Sequence, residues 1–182
     1  MSDSGMAMGQ AVLGGGCFWC LEALFKRVDG IISATSGYAG GSTSNPSYEQ
    51  VCTGQTGHAE VVKLEFDNSK IDYESIIRLF FASHDPTTVD RQGADVGSQY
   101  RSVILHSDPE QKRVAEKVIK AINSSRQLQK PIVTELVPLE NFWKAEDHHQ
   151  DYYEKHPYAG YCRIVIAPKL QKAGFSANSI IS

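Results

Sequence analysis

No apolar run in these 182 residues approaches the length of a bilayer crossing, which argues against a membrane-spanning helix. Neither sign of charge dominates. Eighteen Lys and Arg stand against 21 Asp and Glu, a net charge of −3, so nothing electrostatic points to nucleic acid or an anionic membrane. Met1 to Gln10 holds no basic segment followed by an apolar core; no secretory signal is expected, and the cytoplasm is the expected compartment. Cysteine is scarce. Cys17, Cys20, Cys52 and Cys162 are too few for a disulfide scaffold of this size, and reduced thiols with a nucleophilic or redox task are the better reading. Repeats, low-complexity tracts and linkers are missing too. A single domain over 1–182 is expected, with flexible ends at 1–9 and 172–182.

What is present centres on Gly14-Gly15-Gly16-Cys17-Phe18-Trp19-Cys20. Ala11-Val12-Leu13 reads as a short strand running into the glycines. Leu21, Leu24, Phe25 and Val28 then fall at i, i+3, i+4 and i+7, a helical pattern. Glycines between the two permit a tight turn. That turn sets Cys17 at the helix entrance, where free N–H groups and the positive end of the helix dipole stabilise an anion. A thiol so placed should ionise more easily, and the thiolate is the nucleophile. Phe18 and Trp19 put two large apolar rings beside it, an arrangement suited to a small apolar substrate group. Cys17 and Cys20 also form a C-x-x-C pair whose sulfurs share a helix face. Dithiol redox chemistry is one reading of that pair, and two buried structural cysteines is another. Zinc needs further ligands, and His148-His149 is adjacent rather than spaced as a ligand pair, so no metal is expected.

Further along, Ile31 to Tyr38 reads as a strand, and Gly40 to Gly57 as a long polar excursion. Ala59 to Phe66 alternates: Glu60, Val62, Leu64 and Phe66 share one face, and Val61, Lys63 and Glu65 the other. Glu60 thus sits at the edge of an apolar environment, where a carboxyl pKa rises, unless the strand frays and leaves it solvated. Asp72 is a plausible N-cap for a helix bearing Ile76, Ile77, Phe80 and Phe81. A second polar excursion runs from His84 to Gln99. Tyr100 to Leu105 reads as a strand, Asp108-Pro109 starts another helix, and Ile132 to Val137 is a strand candidate. Ala145 to Lys155 reads as a helix ended by Pro157, and Tyr161 to Ile166 as a last strand. Strands and helices mix without strict alternation. The expected fold is α+β: a two-layer sandwich with a ferredoxin-like core, a mixed, mainly antiparallel sheet covered by helices, and long functional loops.

Gly16-Cys17-Phe18-Trp19 resembles the signature of the A-type peptide methionine sulfoxide reductases, which act on the S epimer. Gly37-Tyr38-Ala39-Gly40-Gly41, Asn45 to Cys52 (NPSYEQVC), Gly57-His58-Ala59-Glu60, His84-Asp85-Pro86-Thr87, Gly97 to Ser102 (GSQYRS) and Ala145 to Gln150 (AEDHHQ) resemble further blocks of that family, in order, from about Val12 to Leu170. By that resemblance Cys17 is the nucleophile and Glu60 the acid that protonates the sulfoxide oxygen. Tyr48 and Tyr100 match hydroxyls that bind the same oxygen, Asp95 a supporting carboxylate, and Phe18 and Trp19 the pocket for the S-methyl group. The resemblance also implies a Cys17 sulfenic acid, an intramolecular disulfide, and thioredoxin (dithiothreitol in vitro) as reductant, with no bound cofactor. Free methionine sulfoxide and oxidised proteins are the implied substrates, and a monomer is expected. Many members have glycine where Cys20 stands. Cys162 aligns with the usual recycling cysteine and is the favoured resolving thiol, with Cys20 its local competitor. Two other functions remain to be weighed: a thioredoxin-like disulfide exchanger using Cys17 and Cys20, and a module that binds oxidised methionine without turnover.

Overall fold

The structure, a computed structural model, describes residues 7–172 and Gly174. In chain order the elements begin β1 (Met8–Gly14), α1 (Phe18–Phe25), β2 (Ile31–Ala39), α2 (Tyr48–Cys52), β3 (Ala59–Asp67) and α3 (Tyr73–Ser83). A short hairpin of β4 (Arg91–Gln92) and β5 (Asp95–Val96) follows, then β6 (Val103–His106), α4 (Pro109–Ser125), β7 (Glu135–Pro138), β8 (Phe142–Lys144), α5 (Tyr152–Lys155) and α6 (Ala167–Lys172). Six strands form one sheet in the order β7-β6-β1-β3-β2-β8. Only β6 and β7 run parallel; the other neighbours are antiparallel. Within it, β6-β1-β3-β2 with α1 and α3 is the ferredoxin-like split βαβ arrangement. The expected α+β sandwich is therefore the fold, with β7 and β8 added at the edges.

The alternation in β3 explains the layers. Val62, Leu64 and Phe66 join the main core with Ala11, Leu13, Phe18, Phe25 and Phe80. Val61 points the other way, into a smaller cluster with Val12, Ala39, Ala59, Val103 and Leu105. That second face is also dry because Val137, Leu139 and Phe142 pack over it. Helix starts follow the sequence signals: Asp72 accepts from the Ser75 N–H at 2.8 Å, and Asp108 from the Gln111 N–H at 2.8 Å with Pro109 at the first helical position.

Three local expectations need correction. The strand expected at Ile132–Val137 is β7, shifted to Glu135–Pro138. The helix expected over Ala145–Lys155 is broken into a 3₁₀ turn (Asp147–His149) and the short α5. The cause is Gln150, whose side chain binds both the N–H and the C=O of Ser36 on β2, while Asp151 turns left-handed at φ 55°. Tyr161–Ile166 is not a strand but a wide π turn, Cys162–Ile166, continuing into α6. Its β-branched residues favour a strand, yet β7 and β8 already occupy the sheet edges. Cys162, Ile166 and Leu170 are buried at four-residue spacing, a helical signal that propensity masked. The ends expected to be flexible overlap β1 at Met8 and Gly9 and α6 at Lys172. Residues 1–6, 173 and 175–182 lie outside the described residues. Among the described residues no helix is long and apolar enough to cross a membrane.

Helix α1 is buried almost all round, and it carries a buried carboxylate, Glu22. Glu22 accepts from the Ser36 hydroxyl at 3.0 Å and the Asp151 N–H at 3.0 Å, with the Lys26 ammonium at 3.3 Å. It therefore ties α1 to β2 and to the start of α5. Glu22→Ala leaves those donors facing a dry gap, and unfolding in urea should register a loss of about 3 kcal/mol. A midpoint unchanged from the parent chain would contradict that role.

Candidate active site

The glycine turn after β1 is forced by close neighbours. A Cβ on Gly15 would meet the His84 ring at 2.9 Å, and Gly16 takes φ +91° while its N–H donates to the Tyr100 carbonyl at 3.2 Å. The chain then enters α1 with Cys17 as an extended N-cap residue. Cys17 makes no capping bond. The first free helical donor, the Phe18 N–H, goes instead to the Glu60 carboxyl, at 3.1 Å. This bond brings the two ends of the sequence argument together: the helix entrance meets the start of β3.

Glu60 is only 1% exposed. Burial pushes its pKa up to about 8; the Phe18 N–H opposes the shift, and the charges of Asp95 and Cys20 add to it. At neutral pH Glu60 is an acid holding its proton. Tyr48, opening α2, and Tyr100, just before β6, are half-buried, and burial followed by other nearby groups, Glu60 among them, raises both phenols. Both hydroxyls remain donors at neutral pH. Tyr48 is held by its N–H donating to Glu146, which also accepts from Tyr38. Asp95, on β5, accepts from the Tyr161 hydroxyl at 2.8 Å.

The easy ionisation expected for Cys17 is not what the site favours. Burial raises its pKa, and the neighbouring Cys20 thiol and the Glu60 and Cys20 charges add to that; only the Trp19 N–H favours the anion. Burial is the main reason, and the Phe18 N–H at the helix end is spent on Glu60. Cys20 behaves oppositely. The neighbouring Cys17 thiol favours the Cys20 anion more than burial opposes it, and with Lys169 it brings the Cys20 thiol down to about 7. Of the pair, Cys20 is the thiol that ionises more readily.

Aromatic rings wall this region. Phe18 is fully buried, 5.8 Å from the Tyr38 ring and 5.3 Å from His149. Trp19, half-buried, stacks on Tyr152 at 3.6 Å and meets Tyr161 edge-on at 5.8 Å. Its indole N–H donates to His149 Nδ1 at 3.2 Å, which fixes both ring orientation and tautomer. Glu146, His148 and His149 lie close enough to hold a cation. Yet Glu146 already accepts two hydrogen bonds, and the Trp19 contact leaves the ring proton of His149 on Nε2. The cluster is committed to holding Tyr48 and Trp19.

A sequence profile of the peptide methionine sulfoxide reductase family matches residues 9–179. The chain belongs to the peptide methionine sulfoxide reductase family. It is 57% identical over 162 residues to peptide methionine sulfoxide reductase MsrA of Sulfolobus acidocaldarius, covering 89% of this chain and 91% of the relative. Methionine sulfoxide reductase A of Corynebacterium diphtheriae superposes with a TM-score of 0.81 at 34% identity, over 87% of this chain and 79% of that one. Mxr1 from Saccharomyces cerevisiae in complex with Trx2 has a TM-score of 0.58 at 21% identity, over 84% and 89%. As a member of this family the protein is an oxidoreductase.

In this reductase, Cys17, Cys20, Phe18, Trp19 and Glu60 gather at the entrance to α1, and Asp95 reaches Cys20 through Tyr161. Cys162 is different. It is fully buried on the inner side of the π turn, and among the described residues it forms no hydrogen bond to Cys17; the thiol whose charge it feels is Cys20. Sequence reasoning missed His149, Tyr152, Tyr161 and Lys169 as neighbours of the site. The first two lie in the segment read as one polar-aromatic helix; Tyr161 opens the segment read as a strand, and Lys169 lies between that strand and the expected loose tail. No spacing argument joins them to residue 17, 132 to 152 positions away.

Proposed function

We propose that this reductase converts the S epimer of methionine sulfoxide, free or within proteins, to methionine by oxygen transfer to Cys17. One observation carries the reading: the carboxyl of Glu60, neutral at pH 7, bonds the N–H of Phe18, the residue after the nucleophilic thiol. The sulfoxide oxygen lies toward Glu60, Tyr48 and Tyr100, and the S-methyl toward Phe18 and Trp19. With two substituents so assigned, Cys17 faces the sulfur from one side only, which selects one epimer. Cys17 attacks sulfur while Glu60 donates its proton to the departing oxygen, and Cys20 is the acceptor for the Cys17 proton. Methionine leaves, the oxygen passes to Cys17 as a sulfenic acid, and the two protons redistribute within the site.

Cys20 is the proposed resolving thiol, in place of the Cys162 favoured by the resemblance. Its support is its place one turn along α1 from Cys17, fixed by the Cys20 N–H donating to the Cys17 carbonyl at 3.1 Å, against the position of Cys162 on the π turn, distant along the chain. The Cys20 thiolate attacks the Cys17 sulfur, an S–S bond forms, the S–O bond breaks, and hydroxide takes up a proton and leaves as water. A thioredoxin dithiol then reduces the disulfide, becoming oxidised itself; Mxr1 in complex with Trx2 supports that partner. The test is an assay of each epimer with thioredoxin and then with dithiothreitol, and peptide mapping after one turnover. Cys20→Ser should keep one equivalent of methionine release but lose about 10²-fold in thioredoxin-dependent turnover, since an adjacent thiol has a high effective concentration. A mapped Cys17–Cys162 disulfide in the parent chain would overturn the choice, and no methionine from either epimer would overturn the function.

A further inference from the structure

We propose that Lys169 is the counter-ion of Cys20, keeping the second thiol anionic and aimed at Cys17 when the first has been oxidised. The inference rests on the reading of Cys20 as the resolving thiol. Lys169 sits on α6, immediately after the π turn, and its ammonium donates to the Cys20 sulfur at 4.0 Å. It is half-buried, which a lysine accepts when it has an anion to meet. Gly15, Leu21, Leu24, Ser83 and Leu170 complete a tight apolar wall around the two groups. In such a place a single charge acts with little screening.

The other groups facing Cys20 supply no cation. Cys17, from the glycine turn, is a neutral thiol. The Tyr161 hydroxyl lies 3.7 Å from the sulfur but gives its proton to Asp95, on β5. Asp95 opposes a second negative charge, and so does Glu60, from β3, once ionised. Cys162, from the π turn, is a buried thiol held up by desolvation. His84, at the end of α3, is bonded to the Phe80 carbonyl and the Ser102 hydroxyl, and burial lowers its pKa to about 4, so it stays neutral. Lys169 is what remains to offset the thiolate. On its other side it borders a groove of about 900 Å³ lined in part by Arg78, Asp85, Gln92 and Lys130.

A role confined to packing would survive loss of the charge. Lys169→Met keeps the stem and removes the ammonium; Lys169→Arg keeps the charge. After one turnover with the S epimer, the rate of Cys17–Cys20 disulfide formation is followed against pH by rapid quench, thiol trapping and peptide mapping. Lys169→Met should slow that step about fivefold at pH 7, raise the midpoint of its pH profile by about one unit and recover near pH 9. Lys169→Arg should stay close to the parent. Disulfide formation in Lys169→Met with the parent rate and midpoint would overturn the role of Lys169 while leaving Cys20 as resolving thiol. A parent chain that forms only Cys17–Cys162 overturns Cys20 itself, and this inference with it.

Discussion

Cys17→Ser abolishes sulfoxide reduction, by about 10⁴-fold or more, because a serine hydroxyl at this site has no route to an anion and no stable oxidised form to accept the oxygen. The loss is the same with thioredoxin or dithiothreitol, since it precedes any disulfide. Folding is little affected: the side chain makes no capping bond, and α1 is anchored by its other buried residues. Methionine release is measured directly, by chromatography, with the S epimer in excess. Activity within tenfold of the parent chain would place the oxygen acceptor elsewhere.

Glu60→Gln is the second large effect. Glutamine keeps the shape and can still accept from the Phe18 N–H, so the helix entrance stays closed, but the proton for the departing oxygen is lost. General acids of this kind contribute typically 10²–10⁴-fold, and the single-turnover rate should fall by about 10³-fold at pH 7. Thioredoxin reduction of a preformed disulfide should change little. The fold supplies its own control. The folded pKa of Glu60 lies above the ordinary carboxyl value, so ionisation is disfavoured in the native state. Its contribution to stability is complete below about pH 4.5 and is lost as pH rises toward 8. Glu60→Gln should therefore be at least as stable as the parent at pH 8, by thermal melting. A destabilised variant with a matching fall in activity would assign Glu60 a packing role only.

Much of this was legible in the chain because its signals are local. The period of two in β3 put Glu60 on the face of Val62, Leu64 and Phe66, and the structure keeps it there, buried. Glycines followed by a helical stripe put Cys17 at a helix entrance, where it is. Local reasoning failed where a tertiary contact took a local group away. The dipole argument for an acidic Cys17 assumed free N–H donors, but Glu60, arriving from 42 positions later, claims the Phe18 N–H. The C-terminal segment failed for a related reason: β-branched residues at 164–166 read as a strand, while the sheet edges are taken by β7 and β8 and the segment coils against α1, with Ile166 buried and Ile164 exposed. Lys169 and Tyr161 could not be seen as partners of Cys20 until that segment was helical.

The most direct test is the pH dependence of single-turnover methionine release from the S epimer, without reductant, between pH 6 and 10. With Cys20 as proton acceptor and Glu60 as acid, the rate rises through about pH 7 and falls above about pH 8 as the carboxyl ionises, and this falling limb is absent from Glu60→Gln. A parent profile that rises steadily through pH 9, tracking only thiolate formation at Cys17, would contradict the account.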